Sequence, residues 1–133
     1  MKKMIWMLII TIPCVLLLLF SFTFIPHKLV NITPSDVSKI KVFDGNTGYQ
    51  VEITDRKDIN YIIHNLNGVT FKKGKPSFMY MGYSFRTTIF DLKGKPIKEL
   101  TINSSDTIRY KGFFYTSTDK NIDYDYIEKL VRN

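Results

Sequence analysis

The sequence predicts an α+β domain, a mostly antiparallel β-sheet with two helices packed on one face, preceded by an N-terminal transmembrane helix. Three observations carry that expectation. Residues Met4 to Ile25 run without a single charged side chain. Beyond Pro26, several short stretches alternate apolar and polar residues with period two. Two others, near 56–66 and 123–131, place aliphatic residues three and four apart. The element order read from these patterns is ββαβββββα behind the apolar leader.

The leader would form a helix about 33 Å long, against a hydrocarbon core of about 30 Å. Lys2, Lys3 and the amino terminus flank one end, and only His27 and Lys28 lie near the other. That excess of positive charge predicts a cytoplasmic N-terminus and a C-terminal domain outside, in a single-pass cell-membrane protein. A cleaved signal peptide fits less well: its apolar core is shorter, and Ser21-Phe22-Thr23 makes a poor cleavage site. A lipoprotein fits worse still, because Cys14 follows Pro13 in the middle of the run. Residues 1–25 are therefore expected as an anchor, 26–36 as a linker with two prolines, and 37–133 as the domain. An eleven-residue linker would reach at most about 35–40 Å.

Val37–Phe43 alternates as a strand, Asp44-Gly45-Asn46-Thr47-Gly48 reads as a turn, and Tyr49–Ile53 as the returning strand. Asp55 can then cap a helix over 56–66 whose stripe is Ile59, Ile62, Ile63 and Leu66, stopped at Asn67-Gly68. Val69–Phe71 reads as a short strand and Lys72–Pro76 as a loop. Met79 through Ile89 alternates over its whole length and predicts one long strand. Asp91–Lys95 is a turn into a strand over 96–102, and Lys111-Gly112 is a hairpin turn between 107–110 and 113–116. Asp123 can cap a last helix through Val131, with Ile127, Leu130 and Val131 as its stripe.

No catalytic, metal or cofactor set emerges from the residue types. Beyond Pro26 there is no cysteine, and the chain has two histidines, His27 in the linker and His64 off the helical stripe. Asp123 and Asp125 point in different directions on a helix, so they cannot work as a facing pair. The Asp44–Gly48 cluster lacks the later acidic ligand of a calcium loop. The expectation is a protein that is not an enzyme; a small enzyme is the weakest alternative.

The basic residues have the most uneven distribution. From Phe71 to Lys111 there are nine Lys and Arg against three Asp and Glu, interleaved with tyrosines. Lys72, Lys73, Lys75, Lys93 and Lys95 fall in predicted turns, where they could converge on a binding surface. Nucleic acid is not expected outside the cell. Anionic lipid, a wall polymer or a protein is the expected partner. The predicted function is a membrane-tethered extracytoplasmic interaction domain. The alternative is an immunity or inhibitor protein acting against a toxin or hydrolase.

The Lys2-Lys3 apolar leader, and the step from strand through Ile53-Thr54-Asp55 into a helix with Ile59, Ile62 and Leu66, resemble the small, single-anchor extracytoplasmic proteins of unknown function of Gram-positive bacteria. The Lys, Ile, Asn and Tyr bias agrees. The resemblance implies no activity and transfers no functional residue.

Overall fold

The computed structural model describes residues 1–82 and 84–133. Helix α1, Lys2–Phe22, is long and apolar enough to cross a membrane, and the domain buries none of its residues. Thr11 and Ser21 donate their hydroxyls to the carbonyls of Met7 and Leu17, at 2.6 and 2.8 Å. Those polar groups are thus satisfied within the helix, as a hydrocarbon environment demands.

Eight strands follow: β1 His27–Lys28, β2 Val37–Asp44, β3 Gln50–Ile53, β4 Thr70–Pro76, β5 Phe85–Asp91, β6 Pro96–Ile102, β7 Thr107–Tyr110 and β8 Phe113–Ser117. They form one antiparallel sheet in the order β1-β4-β8-β7-β6-β5-β2-β3. Strands β5 to β8 are a meander, β2 and β3 a hairpin docked on β5. Helix α2, Arg56–Asn67, carries the chain from the β3 edge across to β4 near the opposite edge, and α3, Tyr124–Arg132, closes the chain.

The fold class is the predicted one, with corrections of detail. One strand and a 3-10 turn, Pro34–Asp36, precede the predicted order. The stretch read as an unstructured linker contributes β1, which pairs His27 with Phe71 and Lys28 with Thr70, and it places Leu29 and Val30 in the core. Its carbonyls and amides explain the order. Lys28 donates to Gly68 O and Lys98 to Leu29 O, Asn67 bonds both the N–H and the C=O of Ile32, and Arg56 donates to Pro34 O and Val37 O. Only Thr23 to Pro26 separate α1 from β1.

Two strand boundaries also differ. Lys72–Pro76, read as a loop, continues β4, with a register shift between Lys73 and Pro76. The long strand expected from Met79 begins only at Phe85; of its earlier positions, Tyr83 lies outside the described residues. Residues 79–82 alternate in sequence but not in burial. Tyr80 and Met81 are both exposed, and Gly82 takes φ +86°.

One sheet face holds the core. Ile40 and Val42 of β2, Phe85 and Ile89 of β5, Leu100 and Ile102 of β6, Ile108 of β7 and Phe71 of β4 point to the side covered by the helices. Helix α2 adds Ile59, Ile62, Ile63 and Leu66, and α3 adds Ile127 and Val131. Both stripes are those the spacing predicts. Asp55 caps α2 by accepting from the N–H groups of Lys57 and Asp58.

The helices are joined by a reciprocal pair. Tyr61 of α2 donates to Asp123, the cap of α3, and Tyr126 of α3 donates to Asp58 in the first turn of α2, each at 2.5 Å. The two rings pack with centroids 4.2 Å apart. The Asp58 carboxylate accepting the Tyr126 hydroxyl pushes that phenol up to about 12.

Candidate binding surface

The sheet's second face has no helix over it. Strand alternation places Lys39, Lys41 and Phe43 of β2, Gln50 and Glu52 of β3, and Arg86, Thr88 and Phe90 of β5 on that side. Glu99 of β6, Arg109 of β7, Phe114 of β8 and Lys72 of β4 continue it across the sheet. Among the described residues, Lys39, Lys41, Lys72, Lys75, Arg86 and Arg109 outnumber Glu52 and Glu99 there.

Three of these cations stand over aromatic rings, and one of the three also meets an acid. Lys39 Nζ lies 5.0 Å from the Phe90 centroid and 3.2 Å from Glu52 Oε1. Lys75 stands 4.3 Å over Tyr80, and Arg109 stands 4.9 Å over Phe114. Tyr80 and Phe114 meet edge to face at 5.2 Å, and Arg109 donates to the Tyr80 carbonyl at 3.0 Å. An ammonium over a ring keeps its positive charge, whereas one in a salt bridge has it neutralised, so the face stays electropositive. Between β3 and β6 it is hollowed into a depression of about 430 Å³, lined by Lys41, Phe43, Gln50, Arg86, Thr88 and Glu99. The arrangement can hold an extended anion by charge and stacking; none of it supplies a nucleophile with an adjacent base.

The five lysines expected to converge are divided. Lys72 and Lys75 belong to the open face. Lys73, the residue after Lys72 and before the register shift in β4, turns to the other side and packs over Phe113 at 3.9 Å, with Thr23 Oγ1 at 3.2 Å. Lys93 and Lys95 sit in the β5–β6 turn, whose Asp91 carboxylate accepts both of their backbone N–H groups. The pairings put Lys72 level with Ser84. The Asp91 turn then lies about 23 Å farther along the strands and about 19 Å across them.

The acidic residues serve the scaffold. Asp123 caps α3, Asp119 accepts from Thr70 N–H, and Glu128 pairs with Arg132. His64 is exposed on α2. Asp44 is the most buried charge, with its carboxylate accepting from Arg132 Nε at 2.9 Å, Asn46 N–H at 2.9 Å and Thr47 Oγ1 at 2.8 Å. Burial alone would push it up, but the Arg132, Asn46 and Thr47 hydrogen bonds outweigh burial and leave it below the usual carboxylate range. No group of three or more His, Cys, Asp or Glu among the described residues is placed to hold a metal ion.

The residues missed in the sequence as part of this surface were Lys39, Lys41, Arg86 and Arg109. Each is a polar position of a predicted strand, but their union on one face requires the strand order, in which β5 lies beside β2. No family model, curated protein or solved structure matches this chain.

Proposed function

We propose that this chain is a membrane-tethered, extracytoplasmic binding domain that takes an extended anionic polymer on its open sheet face. The observation that carries the reading is the sheet face that no helix covers, with Lys39, Lys41, Lys72, Lys75, Arg86 and Arg109 against Glu52 and Glu99. A sheet face of ordinary solubilising residues would mix signs evenly. Here cations stand over rings, a combination suited to a chain of phosphates or carboxylates joined by less polar links. Lys2 and Lys3 on the inner flank and the domain outside supply the address, where wall polyanions are met.

Address and ligand are tested separately. Protease added to intact protoplasts should remove the domain and leave a membrane-embedded fragment; full protection would reverse the orientation. For the ligand, the full chain in neutral nanodiscs should bind polyglycerol phosphate, release it as salt rises, and ignore dextran. Lys41→Gln and Lys72→Gln should each weaken binding about fivefold, at about 1 kcal/mol per near-surface lysine. Lys93→Gln with Lys95→Gln should leave it unchanged. Salt-independent binding, or equal effects from both pairs, would remove the open face from the account.

A further inference from the structure

A second surface lies where the domain meets α1. The last turn of the helix and the sheet edge enclose a cup of about 470 Å³ lined by Phe22, Thr23, His27, Lys73, Lys111, Phe113 and Tyr115. Lys73 bridges the two parts, with its ammonium 5.0 Å from the Phe20 centroid, 5.2 Å from Phe24 and 3.9 Å from Phe113. Lys111 heads the β7–β8 hairpin with φ 47°, so Lys111-Gly112 projects beyond the strands. The Gly112 carbonyl accepts the Ser77 N–H at 2.8 Å, which fixes the start of the 77–82 loop beside the cup. That loop carries Phe78, Met79 and Met81 at 81, 79 and 97% exposure. Its base is firm, since Tyr80 N–H donates to Ser77 O and Arg109 to Tyr80 O.

Three large apolar side chains so exposed on a braced loop have no use in water. Strand direction settles what the first two face. Strand β1 enters the sheet from α1 and runs antiparallel to β4, so β4 runs back toward the helix and delivers Pro76 and the start of the loop, Ser77 to Met79, to the helix side, before Tyr80 packs back against Phe114. Phe22 and Thr23 occupy the depth at which hydrocarbon gives way to headgroups if α1 spans. We propose that this base of the domain docks on the outer leaflet, with Phe78 and Met79 entering the headgroup region and Lys73 and Lys111 in the cup holding the phosphate of an anionic phospholipid. The inference rests on α1 spanning the membrane, and it shares with the open face only the Arg109–Tyr80 contact that braces the loop.

The sole tryptophan, Trp6, lies in α1, which gives a paired test in full-length protein. In nanodiscs containing brominated acyl chains, Trp6 of the parent chain reports the anchor. A Trp6→Phe, Phe78→Trp variant reports the loop. With half the lipid anionic phosphatidylglycerol, the tryptophan placed at 78 should emit to the blue and be quenched. In phosphatidylcholine alone it should emit as in water. Lys111→Gln in the same background should lower the docking constant about fivefold. Quenching of Trp6 with none at position 78 overturns the docking and leaves the anchor standing. Absence of quenching at Trp6 overturns the anchor, and the docking with it. Equal quenching at position 78 in neutral and anionic discs overturns the capture of an anionic lipid.

Discussion

A fragment beginning at Pro26 should fold cooperatively, and one beginning at Asn31 should unfold at a much lower urea concentration. The five residues between them include β1 and the buried Leu29 and Val30, the latter with no exposure at all. Burying each such side chain contributes about 1.5–3 kcal/mol. Their loss therefore removes roughly 3–6 kcal/mol from a domain whose whole stability is on the order of 5–15 kcal/mol. The shorter fragment also exposes the β4 edge and leaves the Lys98 ammonium without the Leu29 carbonyl. Urea unfolding followed by far-UV circular dichroism compares the two directly. Matching midpoints would mean that the segment after α1 is a tether lying loosely on the domain.

The second large effect is expected at Asp44. Asp44→Ala strips the partner from the Asn46 N–H, the Thr47 hydroxyl and Arg132 at once, and should cost about 3 kcal/mol. The pH dependence identifies the cause. Asp44 is held below its ordinary pKa in the folded protein, so the folded state binds its proton less readily than the unfolded chain does. Its stabilisation is complete above about pH 4–5, and is lost as pH falls through the carboxylate range toward the lowered folded value. Arg132→Met should weaken that dependence. With the guanidinium gone, only the Asn46 and Thr47 hydrogen bonds oppose burial, so the Asp44 pKa moves up toward its ordinary value, and the variant should be most damaged at neutral pH and recover relative to wild type on acidification. Midpoints measured from pH 7 to pH 3 decide it; parallel curves for the two proteins would take Asp44 out of the acid response.

Local chemistry was readable and long-range placement was not. Ile59, Ile62, Ile63 and Leu66 announce a buried helical face by spacing alone, and Lys111-Gly112 announces a turn because glycine accepts the positive φ found there. Strand β1 has two residues and no alternation of its own; it exists because Phe71 of β4 offers a free edge 44 positions later in the chain. The Met79–Gly82 stretch shows the opposite failure. Its alternation is real, but period two describes burial only where a neighbouring strand pairs. The open face was subject to the same limit, since Lys41 and Arg86 become neighbours only through the β2–β5 pairing.

The contact between Asp44 and Arg132 spans 88 positions and ends one residue before the C-terminus. Ribosomal synthesis makes Asp44 long before Arg132. In that interval β2 has no β5, the core has no Ile122, Ile127 or Val131, and the carboxylate to be buried has no counter-ion. Such non-local wiring makes folding slow, in milliseconds to seconds. The last helix acts as a latch: the apolar surfaces of the sheet stay open until α3 docks, and the time spent waiting for it is the chain's most aggregation-prone interval.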